Sequence, residues 1–94
     1  MVVGLLVVQL HIPGSQSLKD KRQIVKRIKD RIKNRFNVSV AETDGQNTWR
    51  QCELSVAMVA GMNAAVEREF QFILEYIDSV PEVDMTDHWI EHVK

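Results

Sequence analysis

The sequence predicts an α+β fold, a four-stranded antiparallel sheet with two helices on one face, and three observations carry that expectation. Two stretches repeat their apolar residues every three or four positions, as helices with one buried side do. Four others are short, β-branched and bounded by turn residues, and the two kinds follow one another as βαββαβ. With 94 residues and 45% hydrophobic content, residues 1–94 are expected to form a single domain around one core.

Val2 to Ile12 reads as the first strand. Its even positions (Leu6, Val8, Leu10, Ile12) are wholly apolar and its odd ones run from Val3, Leu5 and Val7 to Gln9 and His11, as in a central strand with both faces partly covered. The apolar start has no basic leader, and Gln9 and His11 interrupt it before it is long enough to cross a membrane, so a cytoplasmic protein is expected.

Ser17 to Phe36, SLKDKRQIVKRIKDRIKNRF, reads as a basic amphipathic helix starting near Leu18. Leu18, Val25, Ile28, Ile32 and Phe36, with Ile24 beside them, form the buried stripe. Ser17 with Asp20 three residues later is a capping-box-like start. Nine of the chain's twelve Lys and Arg residues lie here against two acids, giving +7; the remaining three bases and eleven acids give −8, so the total of −1 conceals a separation of charge.

Asn37 to Thr43 alternates as a second strand, Asp44-Gly45 opens a turn, and Cys52 to Val59 alternates as a third, the two forming a hairpin. The lone Cys52 permits no internal disulfide and no cysteine zinc site; a buried, inert thiol is expected. Asn63 is placed to cap a second helix from about Ala64 to Ser79, stopped by Pro81, with Val66, Phe70, Ile73 and Ile77 as its core stripe and Phe72 and Tyr76 packing at the margin. Glu82 to Ile90 completes the series as a last strand.

Two right-handed crossovers joined by a hairpin give the ferredoxin-like arrangement. Leu6, Val8, Val38, Val40, Leu54, Val56 and Met58 would face the helices. Val3, Leu5, Val7, Ala41, Ala57 and Val59 would lie on the other face, too apolar for water, so a homodimer through that face is expected.

The strings His11-Ile12-Pro13, Ser17-Leu18-Lys19-Asp20-Lys21-Arg22 and Asn34-Arg35-Phe36-Asn37-Val38-Ser39-Val40-Ala41-Glu42, with Trp49 after the hairpin turn, closely resemble the bacterial YlxP-like family. The match runs from the first strand through the third. The resemblance implies a small ferredoxin-like protein of unknown function, encoded beside translation and ribosome-maturation genes, which points to ribosomal RNA or the small ribosomal subunit as partner. It carries over no catalytic residues.

RNA binding has the strongest physical case. Lys19, Lys21, Arg22, Lys26, Arg27, Lys29, Lys33 and Arg35 can neutralise phosphates and release counterions, and the loop Pro13-Gly14-Ser15-Gln16, with Ser15 and Ser17 beside the helix N-terminus, offers a seat for an anion. A charged helix face that is merely solvated is the plain alternative. Base stacking on the sheet is ruled out, because Leu5, Val7, Ser55 and Ala57 occupy the places where an RNA-recognition motif carries aromatics. Trp49 with Arg50 is the candidate stacking pair, set against a Trp packed on its own hairpin.

Catalysis is not expected. His88 and His92, four apart in a strand, stand about 13 Å from each other, too far to share a metal ion. His11 has no obvious acid to orient it, and the loop after the first strand lacks the Arg that an acylphosphatase-like site needs to hold phosphate. Neither cofactor, metal nor small-molecule substrate is indicated. A second reading, from a different class, is a dimeric interaction module whose basic helix meets an acidic protein surface.

Overall fold

The computed structural model describes residues 1–93. In chain order they form β1 (Val2–His11), α1 (Leu18–Arg35), β2 (Ser39–Asp44), β3 (Gln51–Ala60), α2 (Asn63–Asp78) and β4 (Asp84–Val93). The sheet runs β2-β3-β1-β4 with every neighbouring pair antiparallel, which is the ferredoxin-like arrangement. None of the described helices is long and apolar enough to cross a membrane.

Register follows the alternation of the strands. Leu6 stands opposite Val56, Val8 opposite Leu54 and Leu10 opposite Cys52, so the even residues of both central strands meet under the helices. There they close one core with Val25, Ile28 and Ile32 of α1 and Val66, Phe70, Ile73 and Ile77 of α2. Gly4 belongs to this helix-facing row. A Cβ there would stand 2.3 Å from Val66 Cγ1 and 3.1 Å from Phe70, so α2 sits directly on bare backbone.

On the free face Leu5 pairs with Ala57 and Val3 with Val59. Register shifts between Gln9 and Leu10 on β1, and between Glu42 and Asp44 on β2, mark the irregular ends of both edge pairings. At the tip of the β2–β3 hairpin Gly45 takes φ +82, where a Cβ would press within 2.9 Å of the Gln51 carbonyl oxygen; only glycine closes that turn without strain.

Three local expectations are corrected. β4 begins two residues later than Glu82 and runs on to Val93, because Val83 is drawn into the core from the turn and pairing with β1 continues as far as Val3. α2 begins at Asn63 itself, with Met62 in the capping position; no side chain caps it, and the Ala65 amide donates to the Met62 carbonyl instead. Phe72, expected at the core margin, is 48% exposed, whereas Tyr76 does pack against the core.

Candidate nucleic-acid interface on the first helix

α1 carries its charge on two flanks. At about 100° per residue, Lys19, Arg22, Lys26, Lys29 and Lys33 fall on one side of the buried stripe, whereas Arg27, Arg31 and Arg35 fall on the other, which faces α2. The helix forms for ordinary reasons. The Ser17 hydroxyl accepts from the Asp20 amide at 3.1 Å, the Val25–Ile28–Ile32 stripe buries, and the Phe36 amide closes the last turn on the Ile32 carbonyl at 2.9 Å.

Lys21 is the correction that matters most. Expected among the phosphate-binding cations, it is 1% exposed, because the stripe Leu18–Lys21–Val25–Ile28–Ile32 runs straight through it. Its Nζ lies 2.8 Å from Glu42 Oε2 and donates to the Gly45 carbonyl, tying α1 to β2 and to the hairpin tip. Glu42 comes next after Val40 on the helix-facing side of β2, and its Oε2 has a charge partner but no aligned hydrogen bond. Cys52 shares this cluster. Burial first, then the neighbouring Glu42 carboxylate, push its thiol from 9.0 up to about 12.

At the expected anion seat both serine hydroxyls are already engaged, in the loop and at the helix cap. Ser15 is fully buried and its hydroxyl donates to the Ser17 carbonyl at 3.0 Å, while Ser17 Oγ serves as the helix cap. The Asp20 carboxylate already accepts from the Gln16 amide at 3.2 Å, so negative charge occupies the place where an anion would enter. Arg50 is not placed for stacking either. Its Nε donates to the Ser15 carbonyl at 3.0 Å and its own carbonyl accepts from the Ile12 amide at 2.8 Å. Trp49, beside it, is 52% exposed.

Of the remaining cations, two are paired. Lys26 reaches Asp30 at 2.6 Å and Arg27 reaches Glu82 at 2.5 Å; the hydrogen bond from each cation holds the carboxyl of its partner below the usual range. These are surface pairs, worth little to stability. Among the described residues Lys19, Arg22, Lys29, Arg31, Lys33 and Arg35 have no acidic partner within bonding reach. Arg31, which sequence reasoning left out of the site, lies 5.8 Å from the centre of the Tyr76 ring, and Arg35 lies 5.6 Å from that of Phe36. The four-residue spacing of the three arginines was the signal that separates them from the lysine-rich flank.

Elsewhere, His11 does have an acid, Asp84 on β4, with Nδ1 and Oδ2 3.9 Å apart across the sheet edge; this too departs from expectation. No group of metal-ligating side chains occurs among the described residues. The free sheet face holds Val3, Leu5, Val7 and Ala57 half-buried and Val59 exposed, and β4 adds Trp89 and Val93 to the same side, two residues not foreseen there.

A family model described as "Protein of unknown function (DUF503)" matches residues 3–90. The "Uncharacterized protein YlxP" of Bacillus subtilis (strain 168) is 38% identical over 85 residues, covering 90% of this chain and 92% of that one. Two solved structures share the fold. The de novo designed protein Foldit4 has a TM-score of 0.57 at 14% identity, over 100% of this chain and 98% of its own. The de novo designed protein LFR1 1 with ferredoxin fold, solved by NMR, has a TM-score of 0.58 at 16% identity, over 99% and 84%.

Proposed function

The chain belongs to the DUF503 family of proteins of unknown function, and from there we propose that it is a non-catalytic RNA-binding protein. Its binding surface is the lysine-rich flank of α1. The observation that carries this reading is the four unpaired cations Lys19, Arg22, Lys29 and Lys33 on one side of one helix, in a chain otherwise acidic. Such a row is repulsive on its own and is stabilised when phosphates replace the counterions it gathers. Lys19 lies in the first turn of α1, where Asp20 is the single acid set against the positive end of the helix dipole. Trp49 extends the surface as a single stacking residue. The ribosomal target, small-subunit RNA, follows from the resemblance of the sequence rather than from geometry.

The test is binding to small-subunit ribosomal RNA at about 50 and 200 mM salt, with a Lys19→Glu/Arg22→Glu/Lys33→Glu variant alongside. Lys26 and Arg27 are poor choices because each is already paired with an acid. Reversal at Lys19 improves the match to the dipole and reversal at Lys33 in the last turn worsens it by a similar small amount; none of the three side chains is in the core, and a thermal melt verifies that the variant keeps its fold. Four phosphate contacts give a slope of about −3 in log K against log salt, a loss of roughly fifty-fold over that range, and the variant binds weakly at both. Absence of RNA binding by the folded wild type sinks the reading and turns attention to an acidic protein partner of the same helix.

The free sheet face supports a second copy as partner. Val59 is 62% exposed, Val93 45% and Trp89 40%, all on one side of the sheet.

A further inference from the structure

We propose that the groove between α1 and α2 takes a single-stranded RNA segment, with phosphates on Arg31 and Arg35 and one base on Phe72. This rests on the RNA reading above and adds to it a second contact with a preference for unpaired strands.

Arg27, Arg31 and Arg35 repeat every four residues, so their guanidinium groups rise about 6 Å per step along the flank that faces α2. The antiparallel run of α2 brings Glu82, Tyr76 and Phe72 beside them, and together they line an open groove of about 560 Å³. Its lower end is closed by the Arg27–Glu82 pair at 2.5 Å. Further along, Arg31 and Arg35 face the groove against Glu75 alone, each resting over an aromatic ring that fixes its plane without neutralising it.

Phe72 is the part of this arrangement that the fold does not explain. The core is closed by Val66, Phe70, Ile73 and Ile77 of the same helix, yet Phe72 stands 48% exposed among Arg68, Glu69, Glu75 and Tyr76, its neighbours three and four positions away. An apolar ring beside two unpaired guanidinium groups is the combination that single-stranded nucleic acid requires: cations tracking the backbone and an aromatic under a base. A duplex keeps its bases stacked on one another and offers nothing for that ring. An acidic peptide would use the arginines but leave Phe72 idle.

The experiment measures binding of a short labelled oligouridine and of a blunt RNA duplex of equal length by fluorescence anisotropy. It uses wild type, Phe72→Ala, Phe72→Trp, Arg31→Gln/Arg35→Gln and the Lys19→Glu/Arg22→Glu/Lys33→Glu variant. Phe72 is too exposed for its removal to unfold the domain, which a thermal melt verifies. Phe72→Ala is expected to weaken oligouridine about ten-fold with an unchanged salt slope, to leave the duplex unaffected, and to be rescued by Phe72→Trp. Arg31→Gln/Arg35→Gln lowers the salt slope for oligouridine by about 1.4. Wild-type affinity in Phe72→Ala, or equal weakening of duplex and single strand, overturns the groove assignment while the lysine flank stands. Failure of wild type to bind either RNA overturns both.

Discussion

Lys21 shows how one side chain changes role when its surroundings are counted. Nominally one of nine cations on a basic helix, it is a core residue whose charge is met by Glu42 at 2.8 Å and by the Gly45 carbonyl. Removing one member of a buried pair strands the other, which costs far more than deleting both. Lys21→Met is therefore expected to lower unfolding stability by about 3 kcal/mol, the low end for such a change because the Glu42 side chain keeps 16% exposure. Lys21→Met/Glu42→Leu recovers most of that loss. Urea titration of the two variants decides it; equal losses would show that the pair carries no mutual dependence. Cys52, in the same cluster, sets a pH limit. Its thiol titrates near 9.0 when unfolded and at about 12 when folded, so the folded state binds a proton that the unfolded chain has released across that window. This contribution is intact below pH 9 and declines as pH rises from 9 toward 12. Wild type should lose more stability over that interval than Cys52→Ala, and the native thiol should resist alkylation at neutral pH until denaturant is added.

At the scale of elements, the placing of α2 depends on the absence of a side chain. Gly4 lets Val66 and Phe70 rest on the backbone of β1, and a methyl group there would stand 2.3 Å from Val66 Cγ1. Gly4→Ala is expected to push α2 outward and cost about 1–3 kcal/mol, read as a lower urea midpoint at an unchanged slope. Wild-type stability in that variant would mean that the helix shifts freely on the sheet. The order βαββαβ was legible in the sequence because both periodicities are unbroken in Val25–Ile28–Ile32 and Cys52–Leu54–Val56, and burial follows them residue by residue. What was not legible arises where two elements meet. A lysine at a stripe position looks like surface charge until the helix-facing row of β2 is extended from Val40 to Glu42. The loop before α1 resembled an anion seat because its donors were counted as free, yet the Gln16 amide donates to the Asp20 carboxylate and the Ser15 hydroxyl to the Ser17 carbonyl, while the Ser17 hydroxyl caps the helix. The sorting of cations into lysine and arginine flanks was present in the spacing, but only the position of α2 gives the second flank an aromatic wall.

For the whole molecule, the two charged helices cover one side of the sheet and leave the other bare. A second copy laid on that bare side by a twofold axis would bury Val3, Leu5, Val7 and Val59 against their equivalents, with the sheets about 10 Å apart and the helices outermost. Such a dimer carries its two basic α1 helices on opposite outer surfaces, so no single short RNA reaches both, whereas one long RNA does. Wild type is expected to sediment as two chains at tens of micromolar, and Val59→Lys as one, since a cation at a position 62% exposed in the single chain leaves the fold intact but is stranded in the sheet-to-sheet contact. The functional consequence is a matter of linkage. Val59→Lys should bind a short oligonucleotide as well as wild type does, and should bind a long structured RNA at least ten-fold more weakly because the second engagement is lost. If wild type sediments as a single chain, the exposed face has another occupant. If the variant is a single chain yet binds long RNA undiminished, each protomer acts alone and the charge separation within one chain carries the whole affinity.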